Sequence, residues 1–395
     1  MRSETDSELK KTMTAPIYLD YNGTTPLLPE VRRAMLPLLE EDFGNASSNH
    51  WYGIAPRQAL MRARQQTAAL VGCRPEEIIF TSGGTESNNH ALRGMAERLA
   101  GRGNHIITTA IEHPAITEVC RYLARQGWRI TALPVDTHGR VQPDDVAAAI
   151  RPETILISIM HANNEIGTIQ PLAEIAAIAG KNGIALHTDA AQSVGKVPVS
   201  VTDLGVDLLS LAGHKIYAPK GIGALYVRAG IELPSFCHGA GQENHRRAGT
   251  ENIPAIAGLG AACQAAGRDL ESVMAHLAGL RDRLHRELAA AVPDIRLNGH
   301  PEKRLPNTLS ISFADIAADR LLETIGLDVA ASAGAACHSD TVAVSHVLTA
   351  IDLPQEWTRG TVRFSVGRMT TAEEIDRTVR VVAEAVRSLR QEGQS

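Results

Sequence analysis

Between residues 76 and 228 the chain alternates short β-branched runs with longer, Ala-rich stretches of helical spacing. The runs are Ile78–Phe80, His105–Thr109, Arg129–Leu133, Thr154–Ile159, Ile184–His187, Asp207–Ser210 and Ala224–Val227. Runs this short and apolar, separated by spacers such as Pro171–Gly183, predict strands buried on both faces and joined by helical crossovers. The fold class this predicts is α/β, a large domain built on a mostly parallel seven-stranded sheet. Ligands of such sheets lie at the carboxyl ends of the strands, so chemistry is expected just after each run.

Past the sheet the period changes. Ala255–Ala291 is rich in Ala, Leu, Arg and Glu and reads as a connecting helix or helix pair. Leu305–Phe313 alternates as a strand does, and Ala372–Gln391 returns to helical periodicity. These elements predict a smaller α+β domain over 256–395, following a large domain over 31–255. Residues 15–30 are expected to pack with the small domain, and 1–14 to form a mobile tail.

Composition narrows the class. The chain has 395 residues, 44% hydrophobic and 21% charged, ordinary values for a globular enzyme. A formal charge of −5 and an aromatic content of 4% give neither a basic footprint nor stacking platforms for nucleic acid. No apolar run approaches about 18 residues, so no membrane span is expected. Met1–Lys11 carries acids and lacks an apolar centre, which reads as neither a secretory signal nor a transit peptide and leaves the cytoplasm as the expected location. Cys73, Cys120, Cys237, Cys263 and Cys337 are scattered without metal or disulfide spacing, and each alone reads as a small buried hydrophobe.

Five segments after the predicted strands carry candidate chemistry. Lys215, in Leu211–Lys215 before the glycine-rich Lys220–Gly223, suits a Schiff base among small residues, although lysines are usually solvated. Thr81–Asn89 places Gly83, Gly84 and Thr85 at a strand-to-helix turn that can hold a phosphate or be an ordinary capped helix start. It has neither the dinucleotide nor the P-loop pattern. His113 can stack on a planar ring and exchange protons, or be a polar loop residue. Asp189 ends an apolar strand, where it can face a protonated pyridine nitrogen or cap a turn, and Gln192 can donate to a ring oxygen. Asn163, Asn164 and Glu165 can orient a ring hydroxyl or substrate, or build an Asx turn. All five point at one crevice, and together they describe a pyridoxal phosphate site.

On these motifs the chain resembles the aminotransferase class V superfamily, and within it the cysteine desulfurases of the nitrogen-fixation and iron–sulfur type. The resemblance extends from Ile17–Pro26 to Val362–Arg368 and takes in Phe43–Ser48, Asn163–Gly167, His187–Gln192, Gly213–Lys215, Gly241–Glu243 and Arg247–Asn252. It implies a pyridoxal 5'-phosphate enzyme of fold type I, a homodimer with active sites at the subunit interface. Lys215 would carry the cofactor, Asp189 meet its ring nitrogen, Gln192 and Asn164 its ring oxygen, and His113 its face. Gly84, Thr85 and His214 would bind the phosphate, with Thr250 reaching over from the partner subunit. Arg363 would hold the carboxylate of L-cysteine, with Asn164 beside it. Cys337, in the Gly- and Ala-rich Ser332–Asp340, would be the thiol that takes the sulfur and passes it to an acceptor protein or thiol.

The chain departs from the housekeeping members of that family. Ala212 stands where many have a phosphate-binding serine. That change, the loop Gly334–Asp340 and Arg304–Thr308 are similar to selenocysteine lyases, which act on L-selenocysteine. With the sequence ending at Gln391–Ser395, the C-terminal segment that housekeeping members use to dock a scaffold is not expected. A class V aminotransferase would need Lys215 but not Cys337, and a catalytically dead paralogue would be expected to lack Lys215 or Asp189.

Overall fold

The seven apolar runs form one sheet. The structure, a computed structural model, describes residues 15–333, 337–338, 341–342 and 345–393. In chain order the strands begin with β1 (Ile17–Tyr18) in the entry segment. The large sheet follows: β2 (Ile78–Thr81), β3 (His105–Thr109), β4 (Arg129–Leu133), β5 (Thr154–Ser158), β6 (Ala185–Asp189), β7 (Leu208–Ala212) and β8 (Gly223–Val227). Their order is β2-β8-β7-β6-β5-β3-β4, parallel except for β8, which runs against both neighbours. From β3 the chain steps outward to β4, then returns to place β5 on the other side of β3 and continues the opposite way. The loops after β3 and β5 therefore diverge, and a crevice opens between them.

Alternating side chains fill both faces of the sheet. Ile107, Ile157, Leu186 and Leu209 join one buried layer with Val31, Ala63, Ile175 and Leu259. Their chain neighbours Ile106, Leu156 and Leu208 join the opposite layer, under Leu92, Met95, Val119 and Leu123. Period-2 alternation with helices on both faces explains why the strands read as continuously apolar. Two histidines are satisfied rungs of the sheet. His105 bonds Thr131 and Thr154 across β3, β4 and β5, and His187 bonds Ser158 and Ser210 across β5, β6 and β7. Burial holds His187 down at about 3, so it stays neutral.

The stretch expected to be a helix or helix pair is one helix, Ile253–Ala291. Its first half packs Ile256, Leu259 and Ala262 into the large core, and its second half gives Leu277, Leu284 and Leu288 to a second core. That core is built on β9 (Ile295–Asn298), β10 (Thr308–Phe313), β11 (Val329–Ala330) and β12 (Ser332–Ala333). After them come β13 (Cys337–His338) and β14 (Thr341–Val342), paired with each other, and then β15 (Thr361–Ser365). The four-stranded order is β12-β15-β10-β9, and β1 pairs with β11. The alternation of β10 does not mark a solvated face: every residue in it is buried. Leu309, Ile311 and Phe313 enter the core, whereas Thr308, Ser310 and Ser312 bond Asn22, Asn298 and Thr361. No helix among the described residues is long and apolar enough to cross a membrane.

A loop returning to the sheet carries backbone strain. Glu243, Asn244 and His245 have φ of 48°, 56° and 63°, three non-glycine residues in the left-handed region. What fixes them is the Glu243 carboxylate, which accepts from Arg64 at 2.6 and 2.9 Å and from the Phe80 amide at 2.9 Å. Glu243→Ala strands the Arg64 charge, and the expected loss is about 3–5 kcal/mol in equilibrium urea denaturation. A loss below about 1 kcal/mol, the range of a surface pair, would show that this carboxylate does not anchor the loop.

Candidate active site

The crevice between the β3 and β5 loops is a cavity of about 370 Å³. Gly84, Thr85, His113 and Asn164 line it, together with Asp189, Gln192, His214, Lys215 and Arg363. Lys215 ends the short turn Gly213–Lys215 directly after β7. The turn needs glycine at 213, where a Cβ would lie 2.8 Å from Ile222 Cγ2 and 2.9 Å from its carbonyl oxygen. The Lys215 Nζ donates to the main-chain oxygens of Asn22 at 2.6 Å and Gly23 at 2.8 Å. Burial first, and the Arg363 charge second, lower its pKa to about 8, while Asp20 and Asp189 oppose the shift.

Asp189, the last residue of β6, is buried. Its Oδ2 accepts from Asn88 Nδ2 at 2.7 Å and its Oδ1 from the Ala191 amide at 2.9 Å. No cationic side chain bonds to it among the described residues, and a buried carboxylate calls for one. Gln192 Nε2 donates to the Asn22 carbonyl at 3.0 Å. Asn163 and Asn164 divide the two uses open to them. Asn163 Oδ1 accepts from the amides of Glu165 and Ile166, an Asx turn, while Asn164 faces the cavity.

A second cavity of about 390 Å³ shares Gly23, Gly84, Thr85 and His214 with the first. At their junction the helix Gly84–Leu99 begins without a side-chain cap, so its first N–H groups are free to meet an anion. Gly83 has φ of 149°, and a Cβ on Gly223 would lie 2.7 Å from Gly83 Cα, so the turn is bare backbone. Ala212 is buried beside it, its Cβ 3.4 Å from where a Cβ on Gly84 would stand. The His214 ring bonds Thr24 at 3.2 Å, and burial with the Lys215 charge lowers its pKa to about 4.

His113 caps the helix Pro114–Arg125, its Nδ1 accepting from the Ala115 amide at 3.1 Å. A neutral ring in that role carries its proton on Nε2. Its pKa is lowered by the cavity walls first and by Lys215 and His346 next, against Asp189. The neighbouring Glu112 is fully buried, with Oε1 bonded to Thr109 and the Met160 amide and Oε2 unpartnered, and burial pushes it up to about 8. Arg363 donates to Asp20 at 2.7 Å and to the Asn164 carbonyl at 3.1 Å.

Of the predicted residues whose side chains are described, one is not brought into the cavity lining. Thr250 is exposed outside it, and the Cys337 side chain lies outside the described residues. Cys237 is exposed, so it is not the buried hydrophobe that its isolation predicts. Sequence reasoning also missed Asn22, Lys196, Asp20 and Asn88. Asp20 and Asn22 meet the site from far along the chain, Lys196 follows Gln192 closely but reads as a solvated lysine, and Asn88 sits inside a motif whose glycines draw the attention.

The free helix N-terminus suits a phosphate, the unpaired buried acid suits a protonated ring nitrogen, and the low-pKa lysine suits a carbonyl. The residues present thus fit pyridoxal phosphate, and fold and site together define a pyridoxal-phosphate enzyme of α/β architecture. The chain belongs to the aminotransferase class-V family, whose profile matches residues 17–378. It is 48% identical over 379 residues to the cysteine desulfurase IscS of Dictyoglomus turgidum, covering 96% of each chain. Among solved structures it resembles a NifS-like protein, with TM-score 0.88 and 35% identity over 93% of this chain and 98% of that one. It also resembles SspA in complex with cysteine, with TM-score 0.79 and 36% identity over 89% of this chain and 99% of that one.

Two pH effects follow. In cofactor-free protein the Lys215 amine reacts with trinitrobenzenesulfonate with a midpoint near pH 8, read by mass spectrometry of its peptide. Asp20→Asn moves that midpoint down and Arg363→Gln moves it up, since the first removes an opposing charge and the second a like one; shifts of opposite sign would overturn the account. For Glu112 the folded pKa lies above the unfolded one, so its share of stability is present below about 4.5 and is lost as pH rises through about 8. Glu112→Gln should flatten that decline in urea midpoints measured across the window, and an unchanged slope would mean that Glu112 is not its source.

Proposed function

We propose that this protein is a pyridoxal-phosphate-dependent cysteine desulfurase that converts L-cysteine to L-alanine and passes the sulfur, through Cys337, to an acceptor. The observation that carries the reading is the Lys215 amine, held near neutrality in one cavity with an unpaired buried acid and a free helix N-terminus. Full-length relatives named cysteine desulfurase support the substrate, as does a related structure titled as a cysteine complex. They favour cysteine over selenocysteine.

When bound, pyridoxal phosphate supplies a carbonyl for a primary amine and a ring that accepts electrons from the substrate α-carbon. The N–H groups at Gly84 and Thr85, with His214, would hold the phosphate, and Asp189 would keep a proton on the ring nitrogen. Asn164 and Gln192 would meet the ring oxygen and His113 the ring face. Arg363 offers the substrate carboxylate a fork already fixed by Asp20 and the Asn164 carbonyl. Lys215, parked on the Asn22 and Gly23 carbonyls, would take the α-proton as general base, a role that a pKa near 8 suits. The Cys337 thiolate then forms an S–S bond with the substrate sulfur while the C–S bond breaks. The released electron pair stays on carbon, which takes up a proton to become the methyl group of alanine.

The protein acts as a homodimer in the cytoplasm in this reading, and serves iron–sulfur cluster or other thio-cofactor assembly. Leu39, Phe43, Trp51, Tyr52 and Met61 are all exposed, Phe43 stacked on Tyr52, and they supply apolar area that a second copy would cover. Thr250, exposed outside its own cavity, is free to reach the partner's phosphate.

Alanine release from L-cysteine and L-selenocysteine, measured side by side, tests the reading. Cys337→Ala should lower activity on L-cysteine by at least about 10²-fold, in line with loss of a covalent nucleophile; full activity would rule out the persulfide route. Lys215→Ala should abolish the visible absorption of the purified protein, and an unchanged spectrum would remove the lysine from the cofactor.

A further inference from the structure

One buried titratable group has no part in these steps. Lys196 is only 6% exposed and forms no ion pair among the described residues. Its Nζ donates instead to two amide oxygens, Gln192 Oε1 at 2.8 Å and Asn22 Oδ1 at 3.2 Å. A neutral amine has two N–H bonds to give, and both are used; the third proton of an ammonium would find no acceptor. Burial first, then the charges of Lys215 and Arg363, hold its pKa far below the usual lysine value, in agreement with that count.

Its two partners are the groups that shape the cavity. An amide side chain can face either way, and its neighbours decide which. With Lys196 on its oxygen, Gln192 must present its nitrogen, which donates to the Asn22 main-chain oxygen at 3.0 Å. That oxygen also receives the Lys215 amine at 2.6 Å. Asn22 is pinned further by Asn307, Thr308 and Ser365, so Lys196 closes a network joining the entry segment, both cores and the reactive lysine.

We propose that Lys196 is a positioning residue of the active site: its buried amine sets the Gln192 amide with its nitrogen toward Asn22 and the cavity, and holds Asn22 where its main-chain oxygen receives Lys215. The inference rests on the reading of the cavity as a pyridoxal phosphate site. Without the N–H bonds of Lys196, the Gln192 and Asn22 side-chain oxygens lose the donor that ties them together, and the Gln192 nitrogen that would meet the cofactor's ring oxygen is held only by the Asn22 main-chain oxygen.

The test titrates pyridoxal phosphate into cofactor-free wild type, Lys196→Met, Gln192→Leu and the double variant, following the visible band and its pH dependence. Lys196→Met is expected to weaken the cofactor about tenfold and to move the pH midpoint of the band, Gln192→Leu to do the same, and the double variant to be no weaker than the worse single. Lys196→Gln, which keeps N–H donors, should recover part of the loss. Wild-type affinity and titration in Lys196→Met, or losses that multiply in the double variant, would overturn the proposal. If Lys196→Met does not fold, the same cycle is run with Lys196→Gln, and multiplying losses there overturn it equally. A wild-type protein with no visible band would sink the cofactor reading itself, whereas these outcomes with the wild-type band intact sink only the role of Lys196.

Discussion

Lys215 and Arg363 line one crevice and Lys196 lies buried behind it, near enough to feel both charges, while the carboxylates that act on Lys215 among the described residues are Asp20 and Asp189. Burial makes a surplus of positive charge costly, and the site relieves it in two ways. Lys196 and Lys215 are pushed toward their neutral forms, and the remaining positive potential is left to attract anions. Both outcomes serve the chemistry. A lysine near neutrality can attack a carbonyl and remove a proton, and a crevice short of negative charge draws in a phosphate at one place and a carboxylate at another.

Two separate cores have to be held in register for this to work. Residues 17–22 do so through main-chain and amide contacts. β1 lies along β11, Leu19 enters the small core, and Tyr21 enters the large one. Asn22 then bonds Gln192, Lys196 and Lys215 on one side, and Asn307, Thr308 and Ser365 on the other. The helix Ile253–Ala291 supplies the stiff connection behind them, since it contributes to both cores without a break. Arg363 comes from the small core and Lys215 from the rim of the large sheet, so the geometry between them is set by this short entry segment.

The sheet was legible because its strands are buried on both faces, which turns each into an unbroken apolar run. Lys215, Asp189 and His113 were legible for a related reason: a polar residue directly after such a run stands at the carboxyl end of a strand. Asn22 and Lys196 gave no such signal. Asn-Gly reads as a turn, and a lysine after Gly195 reads as a solvated side chain, until contacts across 174 positions bring the two together. The alternation of Thr308–Phe313 marked a strand without telling whether its polar face meets water, because polar residues that bond one another in the interior carry the same pattern as residues facing water. Sequence periodicity reports which residues avoid oil, not which of them meet solvent.

Ala212 shows how position limits what a departure can mean. A missing hydroxyl could bear on the cofactor or on the choice between sulfur and selenium. Ala212 lines the first cavity, its methyl group buried against the Gly84 turn where the helix begins. Arg363, which would receive the substrate carboxylate, lines the same cavity, while the Ala212 methyl lies 3.4 Å from where a Cβ on Gly84 would stand. In the proposed reading, the missing hydroxyl is a donor withheld from the turn that would hold the phosphate. The phosphate would then depend more on the helix N-terminus, Thr85 and His214.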